Sequence, residues 1–267
     1  MKENNFQKKE LVTDIQDRLN GNNIIAIASG KGGVGKTTLA VTLAQAFSQK
    51  GMKVLLFDGD LGLANIDTHL NMTPTETLDN VIQMNDPLHL AVTHEPTINC
   101  DVISGHSGKQ SLAGLNGAQL KLLTDDLLIL ATYYDKVIID LGSGIYENIL
   151  QLAQCAKNCL VLITNTPTAL TNAYQFIQLL SHENPAKEIG IVVNMADTVH
   201  EGEQTYQTFL TALKTFLHIE PKLKGIIHYD SMVKKSLQEQ TPLLCFSPSS
   251  QAAQDILKIE EFLSSKN

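Results

Sequence analysis

The sequence predicts a single α/β domain with a mostly parallel, twisted central sheet of about seven or eight strands flanked by helices on both faces. Short apolar runs alternate with amphipathic stretches, which is typical of repeated strand–helix–strand units. The chain has 267 residues, 43% of them hydrophobic, which is enough for one large core. It contains no internal repeat, low-complexity tract or long Gly/Ser linker that would separate a second domain.

The elements follow from these alternations in chain order. Strands are predicted near residues 24–29, 54–58, 101–104, 137–140, 160–164, 189–194, 225–227 and 243–246. The clearest predicted helices cover 36–49, 117–131, 146–156, 169–181, 202–217, 231–239 and 249–264, with a short one at about 75–83 that follows Pro74. We take 22–267 as the domain and 1–21 as an N-terminal extension. Ligands of such sheets bind beyond the carboxyl ends of the strands.

The first predicted strand runs directly into a phosphate-binding loop. Residues 30–37 read GKGGVGKT, a complete match to G-x-x-x-x-G-K-[ST], and a stretch with helical spacing follows. Glycines allow successive N–H groups to converge on phosphates at the positive end of the helix. We expect Lys36 to neutralise the β- and γ-phosphates and the Thr37 hydroxyl to hold Mg²⁺. The predicted nucleotide-binding residues of this loop are Gly32, Gly33, Val34, Gly35, Lys36, Thr37 and Thr38. The fold class is therefore that of a P-loop NTPase.

Acidic residues end two further strands. Asp58 and Asp60 lie at the tip of the second strand, where two carboxylates spaced i, i+2 can share a Mg²⁺, phosphate and water environment. The alternative is that they only cap a turn. Asp140 ends the apolar strand KVIID, the Walker-B arrangement, and is predicted to hold Mg²⁺ through water. Gly142 and Gly144 then form a predicted switch whose backbone approaches the γ-phosphate.

A second lysine, Lys31, lies at the start of the loop. The chain has one arginine, Arg18, upstream of the loop, so the catalytic body cannot provide an arginine finger and Lys31 is the obvious second cation. With Lys31 the loop resembles the K-G-G-x-G-K-[ST] signature of the MinD/ParA-type deviant Walker-A ATPases. The resemblance implies an ATP-state homodimer in which the first lysine reaches the partner's phosphates. It makes Lys31, Lys36 and Asp60 the catalytic residues, with Asp60 orienting the attacking water.

The resemblance implies further contacts to ATP or ADP. Asn65, in GLAN, is expected near the phosphates of the dimer, and Asp58 supports the metal or the loop. Asn194 ends a predicted strand, and its amide can donate to and accept from the adenine edge; the alternative is that it closes the strand. Tyr229 and its neighbours Ile227 and His228 are expected to form a second wall through backbone groups.

Longer stretches narrow the resemblance to one branch. DGDLGLANID, ISGHSGKQSLAGL and HYDSMVKKSLQEQTPLLCFSPSSQAA resemble the flagellar-number ATPases of the FlhG/FleN type, also called MinD-like YlxH. This branch implies slow ATP hydrolysis that regulates flagellar number or placement. The implied partners are a signal-recognition-type GTPase and, in some members, a flagellar transcription activator. Asp17-Arg18-Leu19 faintly match the GTPase-stimulating helix of relatives, while a disordered or self-packed extension is the alternative.

Two other classes of protein share the phosphate-binding loop. A ParA-type ATPase for DNA or cargo segregation would bind DNA through basic residues, and the suggestive cluster is Lys222, Lys224, Lys234 and Lys235. These lysines are equally compatible with a solvated face, and the net charge of −8 makes DNA binding the weaker prediction. A nitrogenase-type iron protein needs cysteines near its switches, and neither 105–116 nor 141–150 contains one.

Composition also bears on location. No run of about 18 apolar residues exists, and the first residues are polar, so we expect a cytoplasmic protein. The last helix carries Ile256, Ile259 and Leu263 on one stripe beside Asp255, Glu260 and Glu261. Acidic flanks disfavour anionic lipid, which predicts a helix docked on the core. Transient contact with the inner membrane or cell pole, as in MinD-type relatives, is the alternative.

The four cysteines form neither a C-x-x-C pair nor a regular framework. We expect reduced thiols in the core. Cys155 and Cys159 lie four residues apart but straddle a predicted helix end and the next strand, so a metal site there is the weaker alternative.

Overall fold

The computed structural model describes residues 12–61, 65–105 and 114–265. Its strands are β1 Ile24–Ser29, β2 Val54–Gly59, β3 Thr93–Glu95, β4 Cys100–Ile103, β5 Lys136–Ser143, β6 Asn158–Ile163, β7 Glu188–Ala196 and β8 Lys222–His228. They form one 8-stranded sheet in the order β3-β4-β2-β5-β1-β6-β7-β8. Only β3 is antiparallel among these strands. The predicted mostly parallel sheet is confirmed.

Helices cover both faces of this sheet. They are α1 (residues 12–19), α2 Lys36–Gln49, α3 Ile66–Leu70, α4 Leu78–Met84, α5 Gly117–Ala131, α6 Glu147–Cys155, α7 Pro167–Glu183, α8 Val199–Leu217, α9 Ser231–Gln238, α10 Leu243–Phe246 and α11 Gln251–Ser264. A 3-10 helix covers Leu88–Ala91. Residues 62–64 and 106–113, which belong to two stretches behind the flagellar-branch resemblance, lie outside the described residues.

The central strands are mostly apolar because both of their faces are buried. Along β1, Ile24 and Ala26 belong to a core that includes Phe176 of α7, whereas Ile25 and Ile27 belong to a second core. The first core lies under α5, α6, α7 and α8, and the second lies under α2 and α11. The alternation of side chains along a strand therefore divides one apolar run between two cores.

One predicted strand is wrong. Residues 243–246 form the helix α10, in which Leu243 and Leu244 are buried against the core that contains α2. A four-residue apolar run is compatible with a buried helical turn as well as with a strand, and only packing decides between them. The prediction also missed the three-residue edge strand β3 and the five-residue helix α3, both too short for a periodic pattern.

The last helix docks on the domain, as predicted. Ile256 and Ile259 of α11 are buried against β8 and α2, and Leu263 is half-buried beside them. Glu260 is fully buried and forms an ion pair with Lys50 of the α2 C-cap. No helix in the described ranges is long and apolar enough to cross a bilayer.

The described part of the extension lies at the edge of the sheet where the parallel strands begin. The Arg18 guanidinium donates to the backbone oxygen of Tyr134, just before β5, and pairs with Asp14 at 3.0 Å and Asp135 at 3.5 Å. Residues 1–11 lie outside the described residues. The phosphate-binding loop lies at the opposite edge, because it follows the carboxyl end of β1.

Candidate functional site

The loop between β1 and α2 has the backbone that its glycines predict. Gly33 and Gly35 have φ values of 77° and 94°, which favour glycine. Gly30 lies against α7: a Cβ there would be 2.2 Å from the carbonyl carbon of Asn172, whose side-chain amide donates to the Gly30 oxygen at 2.9 Å. The Ser29 hydroxyl donates to the Lys31 oxygen at 2.7 Å. Tertiary contacts therefore hold the loop in place from its first residue.

A cavity of about 480 Å³ opens beside this loop at the carboxyl edge of the sheet. The predicted residues that line it are Gly32, Gly33, Gly35, Lys36, Thr37, Thr38, Asp60, Asn65, Asn194, Ile227, His228 and Tyr229. Residues that sequence reasoning did not assign to the site also line it: His69, Ser143, Met195, Asp230, Val233, Lys234, Leu237, Ala252 and Ile256. These residues lie on or beside β5, β7, α3, α9 and α11, which come together at the loop only in the folded chain.

Three carboxylates and one lysine meet below the loop. Lys36 is only 8% exposed, and burial lowers its pKa. The negative charges of Asp140 and Asp60 act in the opposite direction and raise the pKa of Lys36. The Thr37 hydroxyl donates to Asp140 Oδ2 at 2.6 Å. Burial raises the pKa of Asp140 to about 7, while Thr37 and Lys36 act to lower it. The structure thus brings together Lys36, Thr37 and Asp140, as the two motifs predicted.

The two acids at the carboxyl end of β2, Asp58 within the strand and Asp60 just after it, have different surroundings. Asp58 accepts the backbone N–H groups of Asp60 at 3.2 Å, Asn65 at 3.0 Å and Ile66 at 3.1 Å. Burial raises the pKa of Asp58 most, and the nearby Asp140 carboxylate raises it further. Asp60 lines the cavity and lies against Gly142, where an added Cβ would be 3.2 Å from Asp60 Oδ1. Asp58 therefore ties the end of β2 to the start of α3, and Asp60 faces the site.

A divalent cation fits one position in this arrangement. Asp140 Oδ1 is buried without a hydrogen-bond partner, while Oδ2 accepts from Thr37. An unpaired buried carboxylate oxygen next to a hydroxyl is a donor set for Mg²⁺, which binds through few protein oxygens and completes its shell with phosphate and water. Thr37 and Asp140 fit the predicted metal role directly. The oxygens of Asp58, the third predicted metal residue, already accept backbone N–H groups.

The raised pKa of Asp140 predicts how stability depends on pH without ligands. A carboxyl with an unfolded pKa of about 3.9 and a folded pKa of about 7 binds more protons when folded, so its stabilising contribution is lost as pH rises between these values. Asp140→Asn should remove this loss and stabilise the apoprotein at about pH 8 by on the order of 1 to 4 kcal/mol relative to wild type. Urea unfolding of the variant and of the wild type at several pH values measures this difference in the free energy of unfolding.

The exposed Asp125 provides the control, since Asp125→Asn changes an acid that pairs with Lys121 on the surface of α5. That variant should keep the pH dependence of the wild type. If Asp140→Asn also kept it, the buried carboxyl would not be the source of the pH dependence.

At the far end of the cavity the structure places the predicted base-binding residues. Asn194 Nδ2 donates to the Val34 oxygen at 2.7 Å, so the amide also holds the phosphate-binding loop. Tyr229 is 64% exposed, and its backbone N–H donates to the Ala196 oxygen at 2.9 Å. The cavity therefore extends from the phosphate-binding loop to the ends of β7 and β8. Lys31 is exposed and, like Val34, does not line it.

The four lysines considered for DNA binding do not form one surface. Lys222 and Lys224 lie near the start of β8, and Lys224 Nζ is 4.8 Å from the centre of the Phe262 ring. Lys234 lies on α9 beyond the other end of that strand and lines the cavity. Lys235 is its neighbour on α9. The length of β8 therefore separates the two pairs, which does not favour a continuous basic face.

The thiols are unpaired. Cys155 and Cys159 are buried, and burial raises their pKa values to about 11 and about 12. Metal binding requires the thiolate, which burial disfavours here. Cys100, Cys155 and Cys159 lie in the core as predicted, whereas Cys245 is exposed, so the prediction is wrong for that residue.

The loop, the Walker-B aspartate and the eight-stranded sheet define a P-loop NTPase. A family model described as ParA, NUBPL iron-transfer P-loop NTPase, matches residues 20–264. The chain accordingly belongs to the ParA/MinD family of P-loop NTPases, whose members are ATPases.

Curated relatives and solved structures agree with this assignment. The chain is 32% identical to the antiactivator FleN of Pseudomonas aeruginosa over 86% of this chain and 82% of the relative. It is 32% identical to the flagellum site-determining protein YlxH of Helicobacter pylori over 94% and 84%, respectively. The septum site-determining protein MinD of Pyrococcus horikoshii, solved as a complex with Mg-ADP, superposes with a TM-score of 0.76 at 22% identity over 90% of this chain and 95% of that chain.

Proposed function

We propose that this chain is an ATP-hydrolysing switch that dimerises in the ATP state and regulates flagellar number or placement. The observation that carries the proposal is that the phosphate-binding loop contains two lysines with different exposure: Lys36 is buried and Lys31 is exposed. Arg18, the only arginine, is engaged at the opposite edge of the sheet. With Arg18 engaged elsewhere, Lys31 is the second cation that the phosphate-binding loop itself provides, and its exposure favours a role toward a second subunit.

Each residue has a role in this mechanism that matches its surroundings. Lys36 and the loop N–H groups bind the β- and γ-phosphates, and the low exposure of Lys36 strengthens its attraction to them. Asp60, beside Gly142, orients the attacking water in line with the γ-phosphate. Mg²⁺, when bound by Thr37 and Asp140, neutralises charge on the phosphates.

The hydrogen bonds of Asp58 supply a route from the nucleotide to the surface. This carboxylate joins the end of β2 to the backbone of Asp60, Asn65 and Ile66, so movement of Asp60 is transmitted to the start of α3. Gly142, near the end of β5, lies against the Asp60 carboxylate. We infer that loss of the γ-phosphate moves the segment after β2 and the end of β5 together, and that this movement releases the dimer.

The flagellar role rests on the relatives. FleN is an antiactivator and YlxH a flagellum site-determining protein, and each matches more than four-fifths of this chain. We therefore propose a flagellar signal-recognition-type GTPase and a flagellar transcription activator as partners.

The experiment that tests the switch is the solution mass of Asp60→Ala, measured by light scattering with Mg-ATP and separately with Mg-ADP. Removing the water-orienting carboxylate should stop hydrolysis and trap a dimer in ATP, while ADP should leave the 29.2 kDa monomer. Asp86→Ala, an exposed acid outside the cavity, is the matched control and should hydrolyse ATP like the wild type. A monomer of Asp60→Ala in both nucleotides would contradict dimerisation by ATP alone.

A further inference from the structure

His228 and Asp255 form a close pair at the wall of the cavity. His228 Nδ1 is 2.6 Å from Asp255 Oδ2, and the His228 backbone N–H donates to the same oxygen at 3.1 Å. Asp255 lies on α11, and its side chain is 4% exposed, whereas that of His228 is 20% exposed and lines the cavity. The pair therefore joins a buried carboxylate to an imidazole that a ligand can touch.

The contacts of Asp255 decide which nitrogen of His228 carries the proton. Its other oxygen, Oδ1, accepts from Gln251 Nε2 at 3.0 Å and from Lys258 Nζ at 3.4 Å. Burial raises the pKa of Asp255, but the hydrogen bonds from His228 and Gln251 outweigh it and leave this pKa below its ordinary value. An ionised carboxylate only accepts, so Nδ1 is the donor. In the neutral ring, Nε2 is then an acceptor.

Asn194, on the neighbouring strand, also has one polar group engaged by the protein and an acceptor left for a ligand. Its Nδ2 donates to the Val34 oxygen, which leaves the amide oxygen as the acceptor for a ligand. Asn194 and His228 lie near the carboxyl ends of β7 and β8, which pair in the sheet, and both line the cavity. This end of the cavity thus presents two acceptors, each fixed by a partner outside the cavity.

We propose that the Asp255–His228 pair selects adenine nucleotides, because Asp255 fixes His228 with Nε2 as an acceptor for the 6-amino group of the base. This inference rests on the proposed nucleotide site and adds a residue that distinguishes between bases. Adenine carries a donor at position 6, whereas guanine and hypoxanthine carry an oxygen acceptor there. Two facing acceptors repel each other and leave a polar group unpaired, which disfavours the oxo purines. Asp255 is a positioning residue, since it acts through His228.

The test compares equilibrium binding of ATP and ITP at about pH 8. In ITP a 6-oxo group and an N1–H replace the 6-amino group and the unprotonated N1 of adenine. The wild type should bind ATP more tightly. His228→Phe keeps a ring in the wall but removes the acceptor, so it should reduce the ATP-to-ITP affinity ratio roughly tenfold, chiefly through weaker ATP binding. Asp255→Asn, which allows the other tautomer, should reduce the ratio in the same direction. Thermal unfolding of each variant verifies that it is folded.

His94 provides a matched control, because it forms the same kind of pair with Asp101 at 2.9 Å outside the cavity. His94→Phe should leave the ratio unchanged. A purely structural role for His228 predicts equal losses for ATP and ITP in His228→Phe, and that result would overturn the proposal, as would a wild type that binds ITP as well as ATP. Failure of the wild type to bind either nucleotide would instead contradict the proposed nucleotide site itself.

Discussion

Replacing Lys31 with alanine should lower the rate of ATP hydrolysis roughly a hundred- to a thousandfold while nucleotide binding is retained. Lys31 is exposed, its backbone is held by the Ser29 hydroxyl, and it does not line the cavity of its own subunit. The loss should therefore fall on the transition state and on the ATP-dependent dimer. Phosphate release measures hydrolysis, and a fluorescent ATP analogue measures binding.

A mixture of variants tests whether Lys31 acts across the dimer. If each site combines Asp60 of one subunit with Lys31 of the other, a mixed dimer of Lys31→Ala and Asp60→Ala contains one intact site. Random mixing of a symmetric dimer should then restore roughly a quarter of the wild-type rate. If Lys31 acts within its own subunit, both sites of the mixed dimer are defective and the rate stays low.

Lys121 supplies the control for this charge change, since it is exposed on α5 and pairs only with Asp125. Lys121→Ala should hydrolyse ATP at the wild-type rate. Normal dimerisation and hydrolysis by Lys31→Ala would show that the deviant-loop mechanism does not operate in this chain.

Replacing Lys36 with methionine should weaken binding of ATP and ADP at least roughly a hundredfold, because it removes a buried cation that binds phosphate directly. Lys36 is 8% exposed and lies within the field of Asp140 and Asp60. Without it, two carboxylates face the phosphates with no compensating charge. Titration calorimetry measures the change, and it should differ from that of Lys31→Ala, which leaves binding intact.

Lys136 allows a matched comparison. It is also a buried lysine, 6% exposed, whose pKa burial lowers, but it lies at the opposite edge of the sheet, with Nζ 5.8 Å from the centre of the Phe47 ring. Lys136→Met should therefore change stability and leave nucleotide affinity as it is. Equal affinity losses in the two variants would mean that Lys36 acts through stability rather than through the phosphates.

The parts of the site that the sequence predicted are those set by neighbours along the chain. The loop GKGGVGKT takes its form from glycines that permit positive φ. The three apolar residues 137–139 placed Asp140 on a buried strand, although β5 continues beyond it to Ser143. Parallel strands bring their carboxyl ends to one edge, so the positions of Asp60 and Asn194 followed from the fold class.

The sequence by itself thus determined the fold class, the phosphate-binding loop and the acids beside it, because each depends on local backbone preference or on strand direction. The tertiary structure alone decided that residues 243–246 form a helix, that Asp58 holds the start of α3, and that Asp255 orients His228. Those outcomes depend on contacts between segments far apart in the chain. These contacts are stabilised by burial of apolar groups and by pairing of polar groups, and neither can be read from residues that are neighbours in sequence.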